Sequence, residues 1–226
     1  IRVTPGNVQI ISSGSPTTFR RPPTMRALPI PADNGDWKLL RPYVNFDWVG
    51  LKLLVGYLTF TLTSPKIDGV TFLILLLLGN QGSGKSVLTR TILRLLDPTA
   101  VGLQAFPKSE RDLAIAVQQG HVIAFDNLRA FSPTMADALC RISTGGAFAT
   151  RRLYSDDEQM VHRLHCGLIL NGLHAFIDQP DLAHRCLPLV LRPLDETDRL
   201  EEKEMMAALE RDTPTIFRGL LDLASE

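Results

Sequence analysis

Short runs of consecutive apolar residues alternate with amphipathic segments along most of the chain after residue 70. Four runs predict buried strands: residues 70–78 (VTFLILLLL), 121–125, 167–170 and 187–191. Strands that are apolar on both faces are typical of a parallel sheet with helices on both sides. The alternation therefore predicts an α/β fold with a mostly parallel sheet flanked by helices.

Capping residues and helical spacing predict the helices that connect these strands. Ser109 and Ser132 are suitable N-caps, and Pro133 suits the first position of a helix. Thr213-Pro214 is the same kind of start signal near the end of the chain. The predicted helices cover residues 84–96, 109–117, 132–142, 195–210 and 214–224.

An antiparallel hairpin is predicted in the middle of this α/β pattern, where Gly145-Gly146 ends the preceding helix. Its two strands are predicted at Phe148–Tyr154 and Gln159–Arg163, and the acidic run at 155–158 (SDDE) forms the turn.

The segment before the α/β pattern has a different composition. Residues 1–42 carry seven of the fifteen prolines and predict an arm or linker with a short strand at Val8–Ser12. A helix is expected between Phe46 and Leu58. We therefore expect an arm at 1–42, a core with its preceding helical segment at 43–194, and a C-terminal helical segment at 195–226.

Charge and cysteine content exclude some classes of protein. Lys+Arg and Asp+Glu balance at 24 each, so any contact with DNA must come from a local basic patch. The three cysteines are too widely spaced for a zinc site or a disulfide framework, which favours a cytoplasmic location. The largely apolar run at 70–78 has nine residues, about half of the ~20 that span a bilayer, so no membrane segment is expected. The chain begins at Ile1 rather than Met, and we interpret it as part of a longer protein.

The strongest chemical signal is a phosphate-binding loop between the first predicted strand and its helix. It has the sequence Gly79-Asn80-Gln81-Gly82-Ser83-Gly84-Lys85-Ser86. Glycines at this spacing let backbone N–H groups point at phosphate oxygens, and the following helix presents its positive end to them. Lys85 suits the β- and γ-phosphates of ATP, and the Ser86 hydroxyl suits Mg²⁺.

A second magnesium ligand is predicted at Asp126, directly after the apolar run at 121–125. In such sites a carboxylate at the end of a neighbouring strand holds the metal.

Together these features resemble the AAA+ ATPases, and among them the superfamily III helicases and the helicase modules of phage- and plasmid-type primases. The closest resemblance is to an ATP-binding family of prokaryotic mobile elements. It extends from about Asp36 to the C-terminus and is carried by GNQGSGKS (79–86), ERDLAIAV (110–117), AFDNL (124–128), DALCRISTGGAFATRRLYSDDEQ (137–159), LILNG (168–172) and PDLAHRCLPLVL (180–191).

The resemblance implies roles for two further residues. Asn171 lies where these enzymes place a polar sensor that orients the attacking water; alternatively, Asn171-Gly172 is simply a turn. Arg185 lies at the position of an arginine finger that acts on the neighbouring subunit. Its alternative is a surface arginine paired with Asp181.

The resemblance also implies that the hairpin contacts single-stranded DNA. Arg151 and Arg152 would meet phosphates, and Tyr154 would stack on a base or pack beneath the hairpin. One of the arginines could instead pair with an acidic residue of the turn at 155–158.

One position departs from the usual pattern, in which a glutamate that polarises water follows the magnesium-binding aspartate. Here Asn127 follows Asp126, and an amide is not a base. Either Asn127 positions the water, or Glu110 or Glu158 serves as the base, or hydrolysis is slow.

The sequence thus predicts a P-loop ATPase of AAA+ type: a DNA-dependent motor that forms a homo-oligomeric, hexamer-like ring in a replication protein of a mobile element. A primase–polymerase domain upstream is expected from the resemblance. The alternative is an ATP-dependent assembly switch with little hydrolysis.

Overall fold

The computed structural model describes residues 1–11, 13, 22–151, 159–174, 177–193 and 202–226. A 3₁₀ helix spans Trp37–Tyr43. The other elements are β1 (Arg2–Thr4), β2 (Asn7–Gln9), α1 (Trp48–Thr63), β3 (Ile74–Leu78), α2 (Lys85–Leu96), β4 (Leu103–Ala105), α3 (Glu110–Val117), β5 (Val122–Leu128), α4 (Pro133–Thr144), β6 (Ala147–Arg151), β7 (Gln159–Arg163), β8 (Gly167–Gly172), α5 (Pro180–Ala183), β9 (Cys186–Val190) and α6 (Glu202–Ser225).

The predicted parallel sheet is confirmed. Five strands lie in the order β4-β5-β8-β3-β9, and every neighbouring pair is parallel. The strand that precedes the glycine loop, β3, is an interior strand between β8 and the edge strand β9. Because the strands are parallel, their carboxyl ends meet at one edge of the sheet, where ligands bind in open α/β folds.

Each face of the sheet carries its own apolar cluster, as the continuous apolar strands predict. On one face, which we call the α2 face, Leu75 and Leu77 pack with α1, α2 and α6. On the other, the α4 face, Leu76 and Leu78 pack with α3, α4 and α5. Leu75 and Leu77 are fully buried, so a charged residue at either position would lack solvation.

The predicted capping residues begin and end the helices as expected. Ser109 and Ser132 side chains accept hydrogen bonds from Asp112 and Met135 backbone N–H groups, three positions into α3 and α4. Gly145 ends α4 with a φ of 81°, in the left-handed region that favours glycine.

Two strand predictions need correction. The amino terminus forms two short strands, β1 and β2, rather than the single strand predicted at Val8–Ser12. β3 begins at Ile74 rather than at residue 70, because the preceding segment bonds elsewhere: the Phe72 N–H donates to the Ser143 carbonyl at the end of α4.

The prediction of two C-terminal helices is also wrong. The single helix α6 runs through Pro214, although proline lacks the N–H that helix continuation uses. Buried residues keep helical spacing across the proline, so one apolar face packs on the α2 face of the sheet; they are Leu209, Thr213, Ile216, Phe217 and Leu220. Packing of this continuous face outweighs the local cost of the proline.

The proline-rich arm packs against α6. The backbone N–H groups of Ala32 and Asp36 donate to the carbonyls of Pro214 and Thr215 at 3.1 and 3.0 Å. The Gly6 N–H donates to the Ser225 carbonyl, so the arm contacts both the middle and the end of the helix.

The two paired strands of the predicted hairpin are present as β6 and β7, which pair antiparallel from Ala147–Arg163 to Arg151–Gln159, and the predicted turn at 155–158 lies outside the described residues. In the part of the chain that the structure describes, no helix combines the length and apolar character that a membrane crossing requires.

Candidate functional site

The glycine loop at residues 79–86 connects the end of β3 to the start of α2 at the carboxyl edge of the sheet. Gly84 caps α2 with a φ of 87°, a conformation that glycine adopts without strain. A Cβ atom at Gly79 would lie 2.6 Å from the Ser83 hydroxyl and 3.1 Å from the Leu191 carbonyl. The loop is therefore tightly closed, and we call the loop with the amino terminus of α2 the cradle, because backbone N–H groups and a helix terminus in this arrangement suit an anion.

Lys85 folds back over this cradle. Its Nζ donates to the carbonyl oxygens of Gly79 and Asn80 at 2.6 and 2.9 Å. Burial lowers the pKa of the Lys85 ammonium, while the nearby Asp126 carboxylate acts in the opposite direction. Lys85 is thus held at the mouth of the cradle by two neutral oxygens that an anionic phosphate can replace.

Ser86 and Asp126 lie together, as predicted. The Ser86 hydroxyl is 3.3 Å from Asp126 Oδ2, which joins the first turn of α2 to β5. A hydroxyl and a carboxylate oxygen are ligands that Mg²⁺ prefers, and Mg²⁺ usually takes its remaining ligands from phosphates and water. The pair fits Mg²⁺ on this basis, and no cluster of three or more His, Cys, Asp or Glu ligands is found among the described residues.

Asn171 is fully buried at the end of β8. Its Oδ1 is 3.1 Å from the Thr89 hydroxyl on α2, and that hydroxyl also lies 2.9 Å from the Lys85 carbonyl. The Asn171 amide nitrogen has no hydrogen-bond partner among the described residues. The Asn171 amide oxygen is thus held toward α2, while its amide nitrogen is an unused donor. Asn171 lines the cavity described below.

Asn127 lies in a bulge of β5. Its φ is 60°, it is exposed, and its backbone N–H donates to Asp126 Oδ1 at 2.8 Å. Glu110, a predicted alternative base, instead pairs with Arg141 at 2.6 Å on the α4 face. Glu158, the other candidate, lies outside the described residues.

Arg185 lies at the opposite edge of the sheet from the glycine loop. Its carbonyl accepts from the Ile74 N–H at the start of β3, and the loop begins five residues later. At about 3.3 Å per residue the start of β3 and the start of the glycine loop are ~16 Å apart. The Arg185 side chain is half-buried beside Cys140, and no salt bridge to Asp181 is present in the described part of the chain.

The hairpin residues predicted to contact DNA fall where little is described. Arg151 ends β6, but its side chain is not among those described. Arg152 and Tyr154 lie outside the described residues, so these three roles stay predictions.

A cavity of about 740 Å³ opens over the glycine loop. Its lining brings together five residues that were predicted from the sequence as site residues: Lys85, Ser86, Asp126, Asn127 and Asn171. Its lining also includes residues that sequence reasoning missed: Tyr43, Asn45, Arg129, Leu173, Leu191 and Met205.

The missed residues reach the cavity through long-range contacts. Asn45 Nδ2 donates to the carbonyls of Ser83 and Arg192, and the Tyr43 hydroxyl donates to Asp212 at 2.7 Å. No local pattern signals such contacts. The position of Thr89 beside the site could have been predicted from the sequence. Thr89 follows Lys85 by one helical turn and so lies on the same side of α2.

Solved structures of the NrS-1 C-terminal region share this fold. An apo structure of the NrS-1 C-terminal region matches with a TM-score of 0.61 at 14% identity, over 92% of this chain and 51% of that chain. Its A-form apo structure gives 0.59 at 14% identity, over 90% and 49%. The X-ray structure of JCV helicase matches at a TM-score of 0.46 and 14% identity, over 83% of this chain and 52% of that chain.

The chain spans about half the length of these structures. At 14% identity the likeness to NrS-1 shows the fold alone. No match was found among curated proteins.

A family model extends the assignment beyond the fold. The model for the actinomycete integrative conjugative element replication protein matches residues 47–226, which include the glycine loop, Asp126, Asn171 and Arg185. The resemblance to a replication family of mobile elements is thereby confirmed. The chain belongs to the family of actinomycete integrative conjugative element replication proteins.

Proposed function

We propose that the chain binds ATP with Mg²⁺ and hydrolyses it, as the motor of the element's replication protein. The observation that carries the proposal is the contact at 3.3 Å between the Ser86 hydroxyl and the Asp126 carboxylate, beside Lys85 in one cavity. A phosphate cradle alone binds many anions. A cradle next to a paired hydroxyl and carboxylate suits a nucleoside triphosphate with its metal.

In this proposal, different residues of the site bind the phosphates, the metal ion and the attacking water. Backbone N–H groups of residues 79–86 hold the phosphates, and Lys85 exchanges its two carbonyl partners for phosphate oxygens. Ser86 and Asp126 hold Mg²⁺, which when bound neutralises phosphate charge. Asn171 turns its free amide donor toward the terminal phosphate or the attacking water.

Arg185 supports a site shared between subunits. Its position at the far edge of the sheet keeps it from the nucleotide of its own chain. In a ring, the same edge of one subunit can face the glycine loop of the next, where an arginine stabilises the transferring phosphoryl group. We accordingly propose a homo-oligomeric ring that acts on single-stranded DNA, with Arg151, Arg152 and Tyr154 in the hairpin as the DNA-contacting residues.

ATP turnover by the purified chain, with and without single-stranded DNA, tests the proposal. Lys85→Ala should reduce ATP affinity by at least about tenfold, because a charged hydrogen bond to phosphate is lost, and should abolish turnover. Lys52→Ala, an exposed lysine on α1, is the matched control and should behave as wild type. Equal ATP turnover in Lys85→Ala and wild type would contradict the proposed ATP hydrolysis at this site.

A second candidate function is an ATP-dependent assembly switch with little hydrolysis. It is favoured by the cavity lining, in which Asp126 is the one carboxylate among the described residues. Light scattering with ATP, ADP and a non-hydrolysable analogue separates the two functions. A switch gives an ATP-bound ring that persists for hours, whereas a motor releases phosphate and disassembles as ATP is consumed.

A further inference from the structure

The side chains of β5 do not alternate regularly near the cavity. Phe125 pairs with Leu170 and Leu128 pairs with Gly172, so three steps along β5 match two steps along β8. Phe125 and Leu128 are both buried on the α4 face. In a regular strand, residues three apart point to opposite faces. A bulge at Asp126 and Asn127 therefore inserts one residue and reverses the alternation that follows.

The identity of Asn127 follows from this bulge. Its φ of 60° is in the left-handed region, where asparagine is the best tolerated residue after glycine. The Asp126 carboxylate accepts the Asn127 N–H at 2.8 Å and so fixes the bulge. The left-handed backbone conformation therefore accounts for an asparagine at position 127.

The bulge determines where Arg129 points. With regular alternation, Arg129 would share the α4 face with Phe125. After the bulge, Leu128 takes that face, and Arg129 directly follows the last residue of β5. Arg129 accordingly lines the cavity with Lys85.

Arg129 is also available to a ligand. It is exposed, and the salt bridges among the described residues involve other arginines, at positions 94, 141 and 218. A guanidinium presents paired N–H donors that match phosphate oxygens.

We propose that Arg129 binds the terminal phosphate of the nucleotide held by its own subunit, and that the Asn127 bulge aims it there. The inference rests on the proposed ATP site and deepens it. It assigns a cation in the same subunit, distinct from Arg185 at the opposite edge of the sheet. It also gives Asn127 a role, forming the bulge that orients Arg129, for which Asn127 does not have to accept a proton.

The affinity ratio of ATP to ADP tests this assignment, because only ATP carries the terminal phosphate. Calorimetry with Mg²⁺ on the purified chain should show that Arg129→Gln weakens ATP binding about tenfold or more and ADP binding less than twofold. Arg129→Lys should lie between Arg129→Gln and wild type. Arg111→Gln, an exposed arginine on α3, is the control and should match wild type.

Variants of Asn127 test the bulge separately. Asn127→Gly keeps the positive φ available and should retain the preference for ATP, whereas the β-branched Asn127→Val should lose it as Arg129→Gln does. Thermal melting of each variant identifies loss of fold. An unchanged ATP-to-ADP ratio in Arg129→Gln, with ATP binding weakened in Lys85→Ala, overturns the inference and leaves the proposed function intact. A wild-type chain that binds no ATP overturns both.

Discussion

Thr89 and Asn171 form a buried, hydrogen-bonded pair beside the cavity over the glycine loop. A hydroxyl carries one hydrogen, so Thr89 can donate either to the Lys85 carbonyl or to Asn171 at any one time. The Asn171 amide has no other partner among the described residues. Its orientation toward the cavity therefore depends on Thr89, which does not itself line the cavity.

Replacing Thr89 with valine should separate catalysis from binding. Thr89→Val removes the hydroxyl at nearly constant shape and leaves the buried amide unpaired, so the unfolding free energy should fall by about 1–3 kcal/mol. ATP turnover should fall about tenfold while ATP affinity changes less than twofold, because the phosphate cradle is intact. Denaturant titration and steady-state kinetics measure the two effects.

Thr89→Ser is the matched control, since it keeps the hydroxyl and should restore turnover. Wild-type turnover in Thr89→Val would show that the pair has no positioning role.

At the scale of secondary-structure elements, a close backbone contact joins the arm to α6. A Cβ atom at Gly35 would lie 2.5 Å from the Gly219 backbone nitrogen, and one at Gly219 would lie 2.9 Å from the Asp36 carbonyl carbon. Neither backbone can move without disturbing the hydrogen bonds that Ala32 and Asp36 donate to α6. The two glycines therefore permit the arm to dock on the helix.

This contact reverses the usual effect of replacing a helical glycine. Gly219→Ala should lower the unfolding free energy by about 1–3 kcal/mol, because the added methyl group overpacks a backbone contact. Gly56→Ala is the control: Gly56 lies in α1 and a Cβ there meets nothing within 4 Å. That variant should raise stability by about 0.5–1 kcal/mol through helix propensity. Equal stabilisation by both substitutions would contradict the docking of the arm.

Some features followed from local sequence and others did not. The four buried strands, the caps at Ser109 and Ser132, and the position of the glycine loop between a strand and a helix are local signals and were predicted correctly, although β3 begins only at Ile74. The passage of α6 through Pro214 depends on burial of one continuous helix face, which outweighs a local helix breaker. The cavity contact of Asn45 and the bulge that aims Arg129 arise from packing between distant segments, so no local pattern contains them.

For the whole molecule, the two edges of the sheet have different chemistry. The carboxyl edge carries the charged and polar residues of the cavity. Toward the amino edge lies an aromatic cluster in which Phe72 packs edge-on against His121 at 5.4 Å and His165 at 4.8 Å between ring centroids. This cluster joins both faces of the sheet away from the proposed site, so it should affect stability rather than turnover.

The cluster predicts how stability depends on pH. His121 Nε2 lies 2.8 Å from the Thr61 carbonyl at the end of α1. Burial is the main cause that lowers the pKa of His121, with Lys66 and His165 acting in the same direction and the Thr61 carbonyl and Asp97 opposing it. Above its unfolded pKa of about 6.5 the imidazole is neutral in both states, so its folded environment costs nothing. As pH falls below about 6.5, the unfolded chain takes up the proton first, and stability declines until the folded pKa is reached.

His121→Gln should flatten this decline, because glutamine keeps a donor for the Thr61 carbonyl and does not titrate. Between pH 7 and 5 the wild type should lose more unfolding free energy than the variant, with a difference of at most about 1.4 kcal/mol per pH unit for one proton. Denaturant titrations at several pH values measure both slopes, and the comparison cancels the carboxylates that the two proteins share. Parallel curves would show that burial does not hold His121 neutral. A variant that is less stable at every pH, yet shows the flatter slope, would still support the assignment, since the slope reports protons and the offset reports packing.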